Sequence, residues 1–498
     1  MVNQYIADFM DSFKYEGLTF NDVTLETRYA DFLPAEASTA TRFSRNITMN
    51  APFISAAMDT VTESKMAIAM AKLGGIGVIH KNLNPEAQAH EVARVKHFLN
   101  GMIENPVTFR KSMKVYEIIT ERENCGYKFS GFPIVDDNNK LVGLFTNRDL
   151  KFMTSYDIPV EEVMTRKLVT AQVGTDMETA MKLMLENKVG KLPLVDADGH
   201  LCGLYSLQDV RTLVDKMEPN YNRDSLHRLR VAAAVGPHDF VRIEALVNAG
   251  VDAMIVDSAH GHSKNVMETV REIKAQYPQV DVVAGNVCTE EGAKALLECG
   301  ADAIKVGIGP GSICTTRVVA GVGIPQLTAI YNAWKGVGDA IPIIADGGIE
   351  HSGDVTKALA VGATSVMMGS ALAGTEECPG ERILHQGRTY VIYRGMGSLD
   401  AMRHGKGSRE RYGVSNDLAE NKLVPQGIEG MIPFRGSVAD VLNQYLGGVR
   451  FSLGYVGART ITQLQERARF WRVSAAGLHE SHPHNVVMQK DAPNYSMG

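Results

Sequence analysis

Cysteine is sparse in this chain and badly placed for cross-linking. The 498 residues include six, Cys125, Cys202, Cys288, Cys299, Cys314 and Cys378, with no CxxC pair and no His/Cys cluster at zinc spacing. A disulfide framework and a structural zinc are not expected, and the economical reading is of reduced thiols in a cytoplasm. Long apolar runs are missing as well: none approaches the roughly 20 residues of a membrane-spanning helix. The start, MVNQYIADFMDSF, has neither the basic region nor the apolar stretch of a secretion signal. Nor is there an excess of positive charge. The net charge is −6 and basic residues are scattered, apart from a short cluster at Arg403 to Arg411, so neither a membrane nor a nucleic-acid partner is expected.

What remains is an ordinary globular composition, 45% hydrophobic and 22% charged, at a length that allows two or more domains. One cysteine keeps unusual company. The segment KVGIGPGSICTTR, residues 305–317, sets Cys314 behind Gly307, Gly309, Gly311 and Ser312 and ahead of two threonines. That is too much glycine for a strand or a helix. It suits a loop whose backbone amides approach an anion while a thiol is held out for chemistry. A tight turn that happens to contain a cysteine is the alternative.

Two segments repeat one another. FPIVDDNNKLVGLFTNRDL begins at Phe132 and LPLVDADGHLCGLYSLQDV at Leu192, each reading as strand, Asp/Asn/Gly turn, strand, then a helix near Thr146 or Ser206. Helical patterns precede both, SMKVYEIITEREN and TDMETAMKLMLENK. A duplication of this size is a pair of like units packed together. It resembles a tandem CBS pair, a module that binds purine nucleotides. The resemblance makes Thr146 with Asp149, and Ser206 with Asp209, candidates for holding a ribose. The plainer reading of each is a helix N-cap.

Outside the repeat, strand-length apolar runs alternate with amphipathic segments. The runs are FISAAMD (53–59), GIGVIH (75–80), RVAAAV (230–235), AMIVDSAH (253–260), DVVAGNV (281–287), AIKVGIG (303–309), IPIIADGG (341–348) and SVMMGSAL (365–372). Intervening segments such as PHDFVRIEALVNAG and EEGAKALLECG end at glycine, as helices do. Strands apolar on both faces indicate a parallel sheet covered by helices. Eight such units make an α/β (β/α)8 TIM barrel, with the duplicated CBS module inserted after the second strand. The expected division is residues 1–99 and 216–498 for the barrel and 100–215 for the insertion. A doubly wound sheet competes, but no GxGxxG follows the first strand, and polar residues close nearly every strand. In a barrel those ends share one mouth.

The strand ends carry Ser55 and Asp59, then Asp257, Ser258 and His260, then Asn286. Gly309 to Cys314 follow, and last come Asp346, Gly347 and Gly348, with Gly369 and Ser370. Glycine-rich loops after strands seven and eight are where barrels bind phosphate, and Asp346 stands where a carboxylate would accept from ribose hydroxyls. Tight turns and a capping aspartate are the alternative.

SICTTR with AGVG, then ADGGI, YRGMGSL and GIEG, resemble the inosine-5′-monophosphate dehydrogenase family, whose nearest relative to exclude is GMP reductase. The likeness runs from LTFNDVTL near residue 18 to ESHPHNV near 480 and includes the inserted pair. It implies that Cys314 adds to carbon-2 of IMP and that hydride passes to NAD. Water then hydrolyses the thioester-like intermediate to xanthosine monophosphate, a step toward guanine nucleotides. It assigns the hydrolytic base to Arg411 and Tyr412 on a mobile flap, GSRERYGVSND. From the residues alone RERY reads as a solvated surface loop, and an arginine can serve as a base only when desolvated beside a suitable partner. The resemblance further implies IMP phosphate on Ser312, Gly348, Gly369, Ser370 and Tyr393, and ribose on Asp346. The base would lie near Met396, Gly397 and Gln426, with Ser55, Gly347 and Gly395 completing the set. NAD would meet Asp257, Ser258, Asn286, Gly307 and Gly309. His260 would serve a nearby wall or be a hydrogen-bonded structural histidine. A potassium ion would take the carbonyls of Gly309, Gly311 and Cys314 and be completed by Glu480, Ser481 and His482 from a neighbouring subunit. That implies an oligomer; the family forms homotetramers that can stack through the CBS pairs into octamers.

Two departures stand out. The flap has Gly413 where many relatives have phenylalanine, and Gln426 stands where many bacterial members have glutamate. A second proton path through Thr316 would be weakened by that glutamine. GMP reductase needs its Thr-Glu pair to handle ammonia and generally lacks the Arg-Tyr flap and the ESH tail, so these positions favour the dehydrogenase. The remaining alternative is a nucleotide-sensing protein with a catalytically dead barrel.

Overall fold

Eight of the short apolar runs form one closed, wholly parallel barrel. Its strands are β1 (Phe53–Ser55), β2 (Ile76–Ile79), β3 (Val231–Val235), β4 (Ala253–Asp257), β5 (Asp281–Val287), β6 (Ala303–Val306), β7 (Ile343–Asp346) and β8 (Ser365–Met368). They pair in chain order, and closure is made by β8 on β1 and β2 on β3. The TIM-barrel expectation holds. In this computed structural model the described residues are 2–98, 102–103, 106–125, 131–151, 153, 155–214, 220–415, 419–486, 492 and 494–495.

The barrel centre shows why the sequence closes this way. Side chains two residues apart along a strand face the same side, and the inward set alternates large with small. Ile54, Ile76, Val78, Ile255, Val283 and Ile344 interleave with Ala232, Ala234, Ala253 and Ala303, all with essentially no exposed surface. Phe43 and Ile47, at the short hairpin of Thr41–Arg42 and Thr48–Met49, pack against the same cluster. The outer helices begin on side-chain caps: Asp239 accepts from the Arg242 amide, and Thr289 from that of Gly292. They give way to Gly250 and Gly300 at φ +80° and +93°, the backbone conformation that makes glycine the natural stop.

By its contacts the chain divides into two compact units, residues 1–96 with 220–222 and 230–498, and residues 97–219 with 223–229. The second unit contains a three-stranded and a four-stranded sheet. In each, the repeated strand pair is antiparallel, Gly131–Val135 with Leu141–Thr146 and Lys191–Val195 with Leu201–Ser206. The two halves build separate small cores, one around Phe109, Phe132 and Phe145, the other around Leu192, Leu194 and Met184. The ends expected for the insertion, at Asn100 and Asp215, lie outside the described residues.

Candidate active site

The inward parity that fills the barrel with apolar side chains turns polar at the C-terminal end. Two residues beyond Ile255, Ala303 and Ile344 on their strands come Asp257, Lys305 and Asp346. The Lys305 ammonium, on a side chain only 2% exposed, lies 3.0 Å from Asp257 Oδ1 and 2.7 Å from Asp346 Oδ2. A register shift between Gly285 and Val287 leaves Asn286 without a partner on β6, and such a bulge re-aims a side chain. Asn286 accepts a hydrogen bond from Lys305 and donates to Asp346 Oδ2 (2.9 Å) and the Gly307 carbonyl (2.7 Å). A buried ammonium between two carboxylates is thus the floor of the mouth. Lys305 lies inside β6 rather than at a strand end, so position along the chain does not single it out; only the side it faces does.

Above this floor lies a cleft of about 140 Å³ lined by Gly307, Gly309, Ser312, Cys314, Asp346 and Tyr393 among others. Cys314 is half-buried, its sulfur 3.2 Å from Thr316 Oγ1 and 3.7 Å from the Gln426 carbonyl. Its loop is held on both sides. The Cys314 amide donates to the Gly311 carbonyl, and the Thr315 and Ile428 amides donate to the Gln426 and Ile313 carbonyls. From beneath, Arg317 donates to the carbonyls of Ile308 (3.0 Å) and Ile324 (2.6 Å). The thiol is therefore presented by a fixed loop facing an open cavity.

The anion end is built from glycine. Gly347 and Gly348 have φ +89° and +79°, and a Cβ on Gly347 would fall 3.3 Å from the Gly311 amide nitrogen. Gly369 caps the short helix Ser370–Ala373, and a Cβ there would sit 2.9 Å from the Tyr393 hydroxyl. Tyr393 is buried, which pushes its phenol up to about 12, against a hydrogen bond with Ser312 that pulls it down. The phenol therefore stays a neutral donor at ordinary pH. Gly395 and Met396 line the cleft with these groups. Ser55 does not: it is fully buried, accepts from Thr62 Oγ1 at 2.9 Å, and leaves the wall to Ala56, Ala57 and Met58. Strand parity turns it away. Asp59 is likewise engaged elsewhere, by Arg394 at 2.8 Å.

The RERY segment is not a loop. Lys406–Arg411 is a helix, and its last residue pairs with Asp257 while the Arg411 carbonyl accepts from the Ala259 amide at 2.9 Å. Tyr412 packs on Gly397, where a Cβ would stand 2.6 Å from the Tyr412 Cζ. Burial pushes the Tyr412 phenol up, opposed by the Arg411 guanidinium. Arg411, Tyr412 and Gln426 thus line the same cleft as Cys314. Ser258 and His260 do not line it: the Ser258 hydroxyl bonds the His260 backbone, and His260 is exposed. Asn416 and Asp417 of the flap lie outside the described residues.

Glu480, Ser481 and His482 end the helix Ala475–Ser481 and its cap, where His482 Nδ1 is 2.9 Å from the Tyr495 hydroxyl and its ring 6.1 Å from that of His351. None of them lines the cleft of their own chain. In the second unit, Thr146 is a reciprocal cap: its amide and hydroxyl donate to Asp149 Oδ2 at 2.7 and 2.8 Å, and its hydroxyl accepts from the Arg148 amide at 3.3 Å. At the equivalent place Asp209 bonds Ser206, and burial pushes its carboxyl up to about 6, against the pull of Lys191.

A loop thiol and glycine-rich turns gathered at one barrel mouth are the arrangement of a barrel enzyme's site. Comparison narrows this. Residues 17–484 match the family described as IMP dehydrogenase / GMP reductase domain, and the chain belongs to that family. It is 53% identical to an inosine-5′-monophosphate dehydrogenase of Aquifex aeolicus over 96% of this chain and 98% of that one. With the corresponding protein of Helicobacter pylori the identity is 51%, over 96% and 98%. Among solved structures, a cysteine-to-alanine GMP reductase of Trypanosoma brucei bound to guanosine 5′-monophosphate matches 95% of this chain and 98% of its own, with a TM-score of 0.85 and 36% identity. Chain length and architecture therefore do not separate the two activities. Individual residues must.

Proposed function

We propose that the chain oxidises IMP to xanthosine monophosphate with NAD, on the route to guanine nucleotides. The observation that carries this is the Arg411–Tyr412 pair lying over the cleft into which Cys314 opens. IMP is held with its phosphate at Ser312, Gly348, Gly369, Ser370 and Tyr393, its ribose on Asp346, and its base beside Met396 and Gln426. The Cys314 thiolate adds to carbon-2 and forms the carbon–sulfur bond; the hydrogen on that carbon then leaves with the electron pair of its bond, for which NAD would supply the hydride acceptor. Water activated at Arg411 and Tyr412 then attacks that carbon, releasing the product and the thiol. Asp257 serves both halves, first toward the NAD ribose and then holding Arg411. Thr316 places its hydroxyl 3.2 Å from the Cys314 sulfur.

Carbonyls of Gly309, Gly311 and Cys314 within six residues are a donor set suited to a hard monovalent cation, and potassium would hold the loop's shape. Glu480, Ser481 and His482 would complete it only from a second subunit, which makes the working form an oligomer, a homotetramer in this reading. The second unit is proposed to bind purine nucleotides near Ser206 and Asp209, and the protein to act in the cytoplasm. The T. brucei neighbour keeps GMP reduction as a second reading. Absorbance at the NADH band decides between them. Formation of NADH from IMP and NAD supports oxidation, whereas consumption of a reduced nicotinamide dinucleotide with GMP, and none formed from IMP, overturns it.

A further inference from the structure

Lys81 follows β2 and is 2% exposed, yet the chemistry described above makes no use of it. It forms the seat of the flap helix. A Cβ on Gly407 would fall 2.5 Å from the Lys81 carbonyl oxygen and 3.0 Å from its Cγ, so the helix rests directly on this residue. The side-chain nitrogen lies 3.3 Å from the Asp257 carbonyl, on the residue whose carboxylate grips Arg411. A Cβ on Gly236 would meet both Glu410 Oε2 (3.0 Å) and Lys81 Nζ (3.3 Å), which places the two groups around one small space. The next residue, Asn82, accepts from the Ser408 amide at 3.3 Å.

We propose that Lys81 is a positioning residue that couples seating of the flap to loss of one proton. With the helix down, the amine is enclosed and neutral; when the helix lifts to free Asp257 for the NAD ribose, the amine meets water and takes up a proton. The proposal rests on the flap reading given above. Its electrostatic logic follows from the neighbours. Glu410 and Arg411 face Lys81 from the flap helix, Arg242 and Asp239 from the helix after β3, and Asp257 from β4. Burial lowers the Lys81 amine to about 7, Arg411 and Arg242 push the same way, and Glu410 and Asp239 oppose them. The cationic form therefore disfavours the seated helix, whose Arg411 acts on Lys81 more strongly than the other like charge, Arg242.

The sign follows. The seated state holds fewer protons than the lifted state from about pH 7 up to the ordinary lysine range near 10.5, so seating strengthens as pH rises through that window and is flat below it. NAD, which needs the lifted state, should bind up to about tenfold more weakly per pH unit there. The test is calorimetry of NAD binding to the Cys314→Ala enzyme with saturating IMP, in buffers of different ionisation enthalpy. Near pH 8.5 binding should take up close to one proton, and near pH 6 almost none from this group. Lys81→Met and Lys81→Gln should lose the uptake at pH 8.5 while still binding IMP, which controls for folding. Lys81→Arg, charged in both states, should lose it too and bind NAD with the tightness of a lifted flap. Unchanged uptake in these variants overturns the proposal. Arg411→Ala separates it from its premise. If that change does not tighten NAD, the flap does not compete for Asp257 and both readings fall; if it does while Lys81→Met still takes up the proton, only the role of Lys81 falls.

Discussion

Replacing Lys305 with methionine tests whether the floor of the barrel mouth is an electrostatic device or a packing feature. The side chain keeps its length and loses its charge. At about 3 Å and an effective dielectric of about 20, each of its two ion pairs represents roughly 5 kcal/mol of attraction, most of which offsets the cost of burying the amine. What the substitution leaves behind matters more. Asp257 is 3% exposed and keeps Arg411, whereas Asp346 keeps Asn286 alone among the charged and polar partners described here. A fully buried uncompensated carboxylate costs about 3–5 kcal/mol; with its side chain 19% exposed toward the cleft, Asp346 should cost about 2–3 kcal/mol. Lys305→Met should therefore lower unfolding stability by that amount in urea titration followed by tryptophan fluorescence. Lys305→Met with Asp346→Asn, which removes the orphaned charge, should recover at least half of the loss. A single-variant cost under about 1 kcal/mol, or a double variant whose loss equals the sum of the two singles, refutes the electrostatic account.

Cys314→Ala should abolish NADH formation and leave IMP affinity within a few-fold, since the anion end is untouched; calorimetry and a turnover assay read the two separately. Arg411→Ala should keep a burst of NADH and slow the steady state, with purine retained on Cys314 by mass spectrometry; equal slowing of both phases counts against the flap's role. Adding Gln426→Glu to that variant should restore part of the steady-state rate at high pH. Gly369→Ala places a methyl 2.9 Å from the Tyr393 hydroxyl, so KM for IMP should rise at least tenfold with little change in KM for NAD. Deleting residues 100–215 and joining the ends should preserve NADH formation, because every group assigned to the cleft lies outside them; a folded deletion variant without turnover would contradict that assignment.

The barrel was legible because its strands are short, apolar and bounded by helices that begin on caps and stop at glycine. Each of the eight runs became a strand at the place where its apolar residues lie. Site legibility was uneven, for a reason that strand geometry explains. Glycine loops and a loop cysteine announce themselves by composition, so Cys314, Gly347, Gly348 and Gly369 can be named directly, and all four line the cleft. Ser55 and Ser258 were included because they stand at strand ends, yet chain position does not say which way a side chain faces. Counting inward parity from Ile255, Ala303 and Ile344 would have selected Asp257, Lys305 and Asp346 together, and would have rejected Ser55, which follows the inward Ile54 by one.

Lys81 was beyond such counting. It lies just past β2, and its environment is made by residues distant in the chain, Asp239, Arg242 and Asp257 together with a helix that the residues alone describe as an exposed basic loop. The contradiction in that description is informative. KGSRER has Gly407 and Ser408 on the side that meets Lys81, and both are buried, while Lys406 is exposed. A six-residue helix with so little apolar surface holds its seat through specific pairs rather than through burial: Arg411 on Asp257, Ser408 on Asn82, and the Arg411 carbonyl on Ala259. Few contacts and little buried apolar area are the conditions under which an element lifts and reseats at low cost. The sequence that looks like a solvated loop is thus the sequence a movable lid requires, and Lys81 beneath it is the group whose protonation changes when it moves.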